Sequence, residues 1–218
     1  MVDPICPAGM VLQKPNGAVH PDEPAFCIGK TETPQKPYMD FLREKFKDEY
    51  EEVRKLLAGD RFAVVGDKKP AVYVKWDKAR EYCQSTYPGG DLPTGRQWEN
   101  ACGGKAYCTS SGKLNHREAI YNVHGSSDVG STPANPRGVQ DMTGNVWEWT
   151  KDYVEILGGY RIRGGSWDPS LKSEYLRTDN LEDIFPPYLA SPVTGFRCVA
   201  LPQPATEPTT GKLPGSRK

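Results

Sequence analysis

The second half of the chain is dense in residues that form turns. From Gly103 to Ala200, glycine, serine, asparagine and proline recur every few residues, and no apolar repeat of 3.6 residues runs through the segment. The whole chain carries 22 glycines and 20 prolines among 218 residues, well above the roughly 12% that these two residues make up in an average protein. A helical bundle is therefore disfavoured, and we expect short strands joined by long ordered loops.

Helical periodicity is confined to the first half. Between Tyr38 and Leu57, apolar residues fall at successive spacings of 4, 4, 3 and 4 with charged residues between them, which predicts one amphipathic helix. A second helix is expected after Asp77, a candidate N-cap, and a third at Thr94, which can form a capping box with Gln97. Two or three helices packed on small antiparallel sheets make an α+β fold.

Charge and hydropathy narrow the range of partners. With 28 basic and 28 acidic residues, the chain lacks the positive charge that nucleic-acid binding requires. No run of 18 apolar residues predicts membrane insertion, and the N-terminus lacks the pattern of a signal peptide. We expect one domain over residues 4–201 and a disordered tail over residues 202–218, which are rich in proline and poor in large apolar residues.

Six cysteines are spread widely along the chain, and none forms a C-x-x-C motif. Disulfides are therefore favoured over zinc ligands, which indicates an oxidising compartment or a thermophilic source. Six buried free thiols are the alternative. The six residues are Cys6, Cys27, Cys83, Cys102, Cys108 and Cys198.

Four short blocks concentrate aromatic, glycine and arginine residues, and they contain four of the five tryptophans. Large rigid aromatics in segments without regular periodicity are expected to build the core. Arg163 and Arg197 can hold loop carbonyls through their planar guanidinium groups. On this interpretation the blocks are scaffold. They are Leu92–Glu99, Asp141–Trp149, Arg161–Trp167 and Gly195–Cys198.

In order and spacing these blocks resemble the formylglycine-generating-enzyme/sulfatase-modifying-factor family, whose fold is a variant of the C-type lectin fold. The motifs G-N-V-W-E-W, R-G-G-S-W and G-F-R are specific jointly, and the resemblance covers roughly Gly9 to Ala200. It places the end of the Trp98 helix beside the strand that follows G-F-R, which implies a Cys102–Cys198 disulfide. Cys6–Cys27 is a second expected pair.

The resemblance also implies one calcium ion. Its ligands would be the side chains of Asp141 and Glu148 and the carbonyls of Gly144 and Val146, since calcium prefers six to eight oxygen ligands. The alternative is that Glu148 only accepts hydrogen bonds from loop amides. A second calcium loop of the family is expected to be absent, because Ile120 stands where the family has an asparagine.

Catalysis of the family's type is not expected. Members that oxidise a sulfatase cysteine carry a copper-binding cysteine pair just after R-G-G-S, and Trp167–Leu176 contains no cysteine. The three histidines, His20, His116 and His124, are far apart in sequence, so neither iron nor zinc has a ligand set. Each histidine is expected to be a solvated loop residue. No nucleophile-elbow, P-loop or dinucleotide motif is present.

The segment 168–194 departs from the family pattern and has the composition of a recognition surface. This arrangement resembles the variable proteins of diversity-generating retroelements, in which the stretch from R-G-G-S-W to G-F-R is rewritten on a fixed scaffold. Inward folding of Ile184 and Phe185 as a local core is the alternative. Carried over by position, the ligand-contacting residues are Tyr160, Ile162, Asp168, Ser170, Ser173, Tyr175, Ile184, Phe185 and Tyr188.

The sequence thus predicts a non-catalytic binding domain for a protein or glycan ligand on a cell or virus surface, placed outside the cell, on its surface or on a virion. The rivals are an oxidoreductase-like member with unrecognised chemistry and a structural protein of a surface assembly. A contiguous exposed face is expected above four buried aromatics. The face is Asp168, Ser170, Ser173, Tyr175, Phe185 and Tyr188; the aromatics are Trp147, Trp149, Trp167 and Phe196.

Overall fold

The computed structural model describes residues 4–15, 19–60, 65–181 and 183–204. Over these residues the chain forms four α-helices and seven short strands, with 3-10 turns at Glu155–Leu157 and Ser173–Leu176. The helices are α1 (Gln35–Lys45), α2 (Lys47–Gly59), α3 (Trp76–Thr86) and α4 (Gly95–Cys102). The strands are β1 (Met10–Gln13), β2 (Phe26–Gly29), β3 (Trp147–Val154), β4 (Gly159–Arg163), β5 (Ile184–Phe185), β6 (Thr194–Gly195) and β7 (Val199–Ala200).

The strands form two small sheets, which confirms the α+β class. One sheet has the antiparallel order β1-β2-β7, and the other has the order β5-β4-β3-β6. In the second sheet, β3 and β4 form a hairpin that aligns Glu148 with Arg163 and Trp149 with Ile162. Strand β6 runs parallel to β3, which differs from the purely antiparallel sheets that the sequence predicts.

The predicted helix over Tyr38–Leu57 is two helices that meet at Phe46. The backbone of Phe46 leaves the helical region (φ −139°, ψ 70°), and its ring packs on Phe41, 5.6 Å between ring centroids. A straight helix of 20 residues would be about 30 Å long, so the bend lets both helices bury their apolar faces in one core cluster.

Of the two predicted N-caps, the structure confirms the one at the start of α4 and not the one at the start of α3. Thr94 and Gln97 form the predicted capping box at the start of α4. Helix α3, by contrast, begins at Trp76 with Lys75 at the N-cap position, so Asp77 lies in the first turn and the predicted N-cap is wrong. A carboxylate in the first turn still interacts favourably with the helix dipole.

The predicted aromatic core is confirmed: Trp147, Trp149, Trp167 and Phe196 are each at most 5% exposed. They belong to a main cluster to which α1, α2 and α3 also contribute buried residues. A second, smaller cluster is formed by residues of β2, α4 and the loop around Met142, and fully buried Trp98 is its largest member.

The disulfide pairs differ from the prediction at Cys102. Cys6–Cys27 is confirmed, but Cys198 pairs with Cys83, and Cys102 pairs with Cys108. No free cysteine remains among the described residues.

Topology explains the correction of Cys102–Cys198. After α3 the chain turns, and Asp91 exchanges two backbone hydrogen bonds with Val199, which places Cys83 beside Cys198. At the end of α4, Gly103 takes a left-handed conformation (φ 83°) that only glycine adopts without strain. The chain therefore reverses at once and brings Cys108 back to Cys102.

The ends of the domain lie side by side, because Ile5 exchanges two backbone hydrogen bonds with Gln203. Of the predicted tail, residues 205–218 lie outside the described residues. Within the described part, no helix is long and apolar enough to cross a membrane.

Candidate functional site

A buried ion pair fixes the loops around the second core cluster. Arg197 donates to both carboxylate oxygens of Glu148, at 2.6 and 2.7 Å, and to the carbonyls of Gly29 and Gln140. Trp98 Nε1 donates to the same carboxylate at 2.8 Å. Arg197 and Glu148 are at most 1% exposed. The sequence expectation that Arg197 holds loop carbonyls is confirmed.

The second predicted calcium carboxylate, Asp141, is likewise bound by protein donors. It accepts hydrogen bonds from the Thr132 amide and hydroxyl, at 3.0 and 2.7 Å, and from the Gly130 amide. The oxygens that a calcium ion would need are thus already taken by N–H and O–H donors. Among the described residues, no three histidine, cysteine or acidic side chains are gathered as a metal site. The residues fit an internally hydrogen-bonded loop better than a calcium site, and calcium stays a prediction.

A third buried acid, Glu32, was not predicted from the sequence. It is 1% exposed; one oxygen accepts a hydrogen bond from Asn145 at 2.9 Å, and Oε2 has no partner. Burial raises the pKa of Glu32 well above its usual value, and the negative charges of Asp141 and Glu148 add to this, while Arg197 opposes it. Glu32 therefore stays protonated in the folded state to a higher pH than in the unfolded chain.

The raised pKa of Glu32 predicts a stability that falls with pH. Below its usual pKa of 4.5 the group is protonated in both states; above it, only the unfolded chain ionises, so stability is lost as pH rises. Glu32→Gln should match the wild type near pH 4.5 and exceed it increasingly at higher pH, by up to about 1.4 kcal/mol per pH unit. Urea denaturation at several pH values measures this.

Glu44→Gln, at an exposed position on α1, provides the matched control for the substitution itself. A Glu32→Gln profile parallel to that of the wild type would contradict the raised pKa of Glu32. The same denaturation in calcium and in chelator tests the calcium prediction. A bound ion would raise the urea midpoint in calcium, whereas equal midpoints would show that hydrogen bonds alone hold the loop.

Two adjoining clefts lie beside the segment that follows R-G-G-S-W. They have volumes of about 380 and 370 Å³ and share Asp179 and Leu181, so we treat them as one feature, the loop groove. Its lining residues are Val19, Glu99, Gly104, Lys105, Ala106, Glu174, Tyr175, Arg177, Thr178, Asp179, Asn180 and Leu181.

Buried Arg163 holds one wall of the loop groove in place. Its guanidinium donates to the carbonyls of Thr178 and Asn180, at 2.9 and 2.8 Å, and pairs with Glu99 on α4. The amide of Thr178 in turn donates a hydrogen bond to the carbonyl oxygen of Ala106 at 3.0 Å. The predicted role of Arg163 in holding loop carbonyls is confirmed, and the strand β4 thereby positions the groove.

Close packing fixes the start of the same wall. Gly165 has a left-handed backbone (φ 75°), and a Cβ there would lie 2.4 Å from Leu176 Cδ2. The second glycine of R-G-G-S-W thus leaves the space into which Leu176 packs. Leu176 is 2% exposed and anchors the groove segment to the scaffold.

The family assignment follows from a match over most of the chain. Residues 8–201 match the family described as the sulfatase-modifying factor enzyme 1-like domain. The chain belongs to this family. Bovine (Bos taurus) inactive C-alpha-formylglycine-generating enzyme 2 is 32% identical over 154 residues, which cover 60% of this chain and 50% of that protein. The chain spans between about a quarter and half the length of the curated relatives it matches.

Solved structures confirm the C-type lectin-like fold of the formylglycine-generating-enzyme type. Variable protein 1 of Treponema denticola superposes with a TM-score of 0.60 at 16% identity, covering 91% of this chain and 94% of that one. PvdO from Pseudomonas aeruginosa superposes with a TM-score of 0.62 at 19% identity, covering 87% and 89%. At these identities the likeness establishes the fold alone.

Within this family fold, the nine predicted ligand-contacting residues lie in different environments. The prediction for Ile162 is wrong: it is 1% exposed, because it faces the core from β4 opposite Trp149. The exposed residues are Ser170, Ser173 and Tyr188; the half-buried ones are Tyr160, Asp168, Tyr175, Ile184 and Phe185.

Strand pairing brings part of this set together. Tyr160 lies opposite Phe185 in the β4–β5 pair, and its ring stacks on Trp76 with the ring centroids 3.7 Å apart. Phe185 also contacts Trp149 edge-on at 6.2 Å, which agrees with the inward-folding alternative. Of the nine residues, Tyr175 lines the loop groove.

Sequence reasoning missed most of the groove, including Glu99, Lys105 and Leu181. Its walls come from three segments that are distant in sequence: Val19, residues 99–106 and residues 174–181. The Cys102–Cys108 disulfide, which the sequence did not predict, closes the loop 103–107 that forms one of these walls. The expectation of a solvated histidine is also wrong for His20, whose Nε2 lies 2.8 Å from Glu99 Oε2 in a half-buried contact. His116 stacks on Tyr121 at 4.2 Å, and His124 is exposed.

Proposed function

We propose that this domain is a non-catalytic ligand-binding domain, a variable protein of a diversity-generating retroelement. The loop groove carries the proposal. One of its walls is residues 174–181, inside the segment expected to vary, and Arg163 and Leu176 hold that wall on a rigid scaffold. A preorganised wall lets side chains change without reordering the backbone, which reduces the entropic cost of binding.

The chemistry of the cysteines supports binding over oxidation. The family's copper-dependent reaction needs a thiolate, and only a deprotonated free cysteine supplies one. The segment Trp167–Leu176 has no cysteine, and all six cysteines form disulfides. The name of the bovine relative, an inactive formylglycine-generating enzyme, is consistent with this. An oxidoreductase-like member and a structural protein of a surface assembly are the alternatives.

The ligand we propose is a protein or glycan on a cell or virus surface. Besides the groove, the exposed Ser170, Ser173 and Tyr188 and half-buried Asp168 extend the recognition surface. Three disulfides suit a domain that is extracellular, on a cell surface or part of a virion. The name of the Treponema variable protein supports a variable role.

Repeated sequencing of the gene from its source population tests the proposal. We expect substitutions at adenines in codons 160–194, with codons 70–102 of the same amplicon as the internal control. The codons of Ile162, Arg163 and Leu176 should stay constant, because these side chains are buried and hold the groove. Substitutions spread evenly over both windows, or absent from both, would overturn the variable-protein assignment.

A further inference from the structure

We propose that the loop groove recognises an acidic peptide segment, with a carboxylate placed beside an apolar side chain. This inference rests on the proposed binding function and names the chemistry of its ligand. It begins from the polar groups of residues 104–106, which form the wall opposite Thr178.

Two carbonyls of this wall accept hydrogen bonds, whereas its amides have no acceptor among the described residues. Lys105 and Ala106 present their carbonyl oxygens to the hydroxyl and amide of Thr178. Within the described residues, the backbone N–H groups of Gly104, Lys105 and Ala106 have no acceptor. All three residues are exposed. The wall therefore offers hydrogen-bond donors to a ligand and few acceptors.

Among the described residues, the charges of the groove leave one cation without a partner. Glu99 is paired with Arg163 and His20, and Arg177 makes a bidentate pair with Asp179 at 2.7 and 2.8 Å. The remaining groove carboxylate, Glu174, pairs with Lys172 at 3.7 Å. Lys105 has no ion pair in the part of the chain that the structure describes. A free ammonium beside free amides complements a carboxylate, since charge-assisted hydrogen bonds are stronger than neutral ones.

The apolar part of the groove favours a peptide over a sugar. Val19, Ala106 and Leu181 line the larger cleft, and Leu181 is 48% exposed. Among the described residues, no aromatic side chain lines that larger cleft, and Tyr175 lines only the smaller one. Sugar rings are commonly held against aromatic faces. The aliphatic side chains of the cleft lie on the same cleft as Lys105. They therefore suit a peptide in which an acidic residue stands next to an aliphatic residue.

Amide chemical shifts in an NMR titration of the ¹⁵N-labelled domain test the inference. The probe is the capped dipeptide acetyl-leucyl-glutamate amide; its glutamine counterpart tests the carboxylate, and sialyllactose tests an acidic sugar. We expect the glutamate peptide to shift the amides of Gly104, Lys105 and Ala106, and the other two probes to leave them unchanged. Lys105→Gln should raise the half-saturating concentration about three- to fivefold, while Lys55→Gln on exposed α2 should not.

Equal shifts with the glutamine peptide, or an unchanged titration of the Lys105→Gln variant, would overturn the carboxylate inference. Stronger binding of sialyllactose than of the glutamate peptide would overturn the peptide class. None of these outcomes alters the pattern of substitutions in the gene, so the inference can fail while the proposed binding function stands.

Discussion

Replacement of Arg197 by methionine will cost the domain about 3–5 kcal/mol of its free energy of unfolding, because the change leaves a buried charge without a partner. Glu148 would keep only Trp98 as a donor, and the carbonyls of Gly29 and Gln140 would lose theirs. The unfolding free energy from urea denaturation measures the loss. Since whole domains are stable by about 5–15 kcal/mol, this loss is a large part of the total, and little of the Arg197→Met variant should be folded.

Two further variants keep this prediction testable. Arg197→Lys retains the charge but loses the bidentate geometry, so its loss should be intermediate. Arg54→Met breaks an exposed pair with Glu51 on α2, which is worth at most about 1 kcal/mol. Equal losses at Arg197 and Arg54 would show that the buried pair does not hold the scaffold.

Local chemistry predicted those parts of the fold that depend on neighbouring residues. The capping box of Thr94 and Gln97 is a contact across one helical turn, so the two residues specify it by themselves. The burial of Trp149 and Phe196 follows equally from their large apolar area. The roles of Arg163 and Arg197 follow from the chemistry of the guanidinium group. It carries only N–H donors, so a buried arginine needs carbonyl or carboxylate oxygens as partners.

Features that depend on the path of the chain in space could not be predicted from the spacing of residues in the sequence. The apolar spacing across Phe46 is the same whether the helix bends or continues, so periodicity could not place the break between α1 and α2. The loop groove needs Val19, Lys105 and Leu181 in one place, and no spacing rule connects them. The prediction for Ile162 is wrong for a related reason: its position within the segment expected to vary does not say which face of β4 the side chain occupies.

The two disulfides that differ from the sequence prediction close loops of very different length. Cys83–Cys198 joins residues 115 apart and Cys102–Cys108 residues six apart. In the loop-entropy model they constrain the unfolded chain by about 5 and 2 kcal/mol respectively. All four cysteines are at most 5% exposed, so paired replacement by alanine imposes a similar local change at both sites.

The Cys83→Ala/Cys198→Ala variant should therefore melt about 6–12 °C below the Cys102→Ala/Cys108→Ala variant, because about 3 kcal/mol separates them in a domain of this size. Calorimetry under oxidising conditions measures both midpoints, and peptide mapping of the wild type verifies the pairs.

The short disulfide, Cys102–Cys108, should act locally, since Thr178 hydrogen-bonds to the loop that this disulfide closes. Its removal should speed hydrogen exchange of the Thr178 amide while amides in α1 keep their protection. Equal melting points, or a faster exchange that extends to α1, would mean that Cys102–Cys108 supports the whole domain rather than the groove.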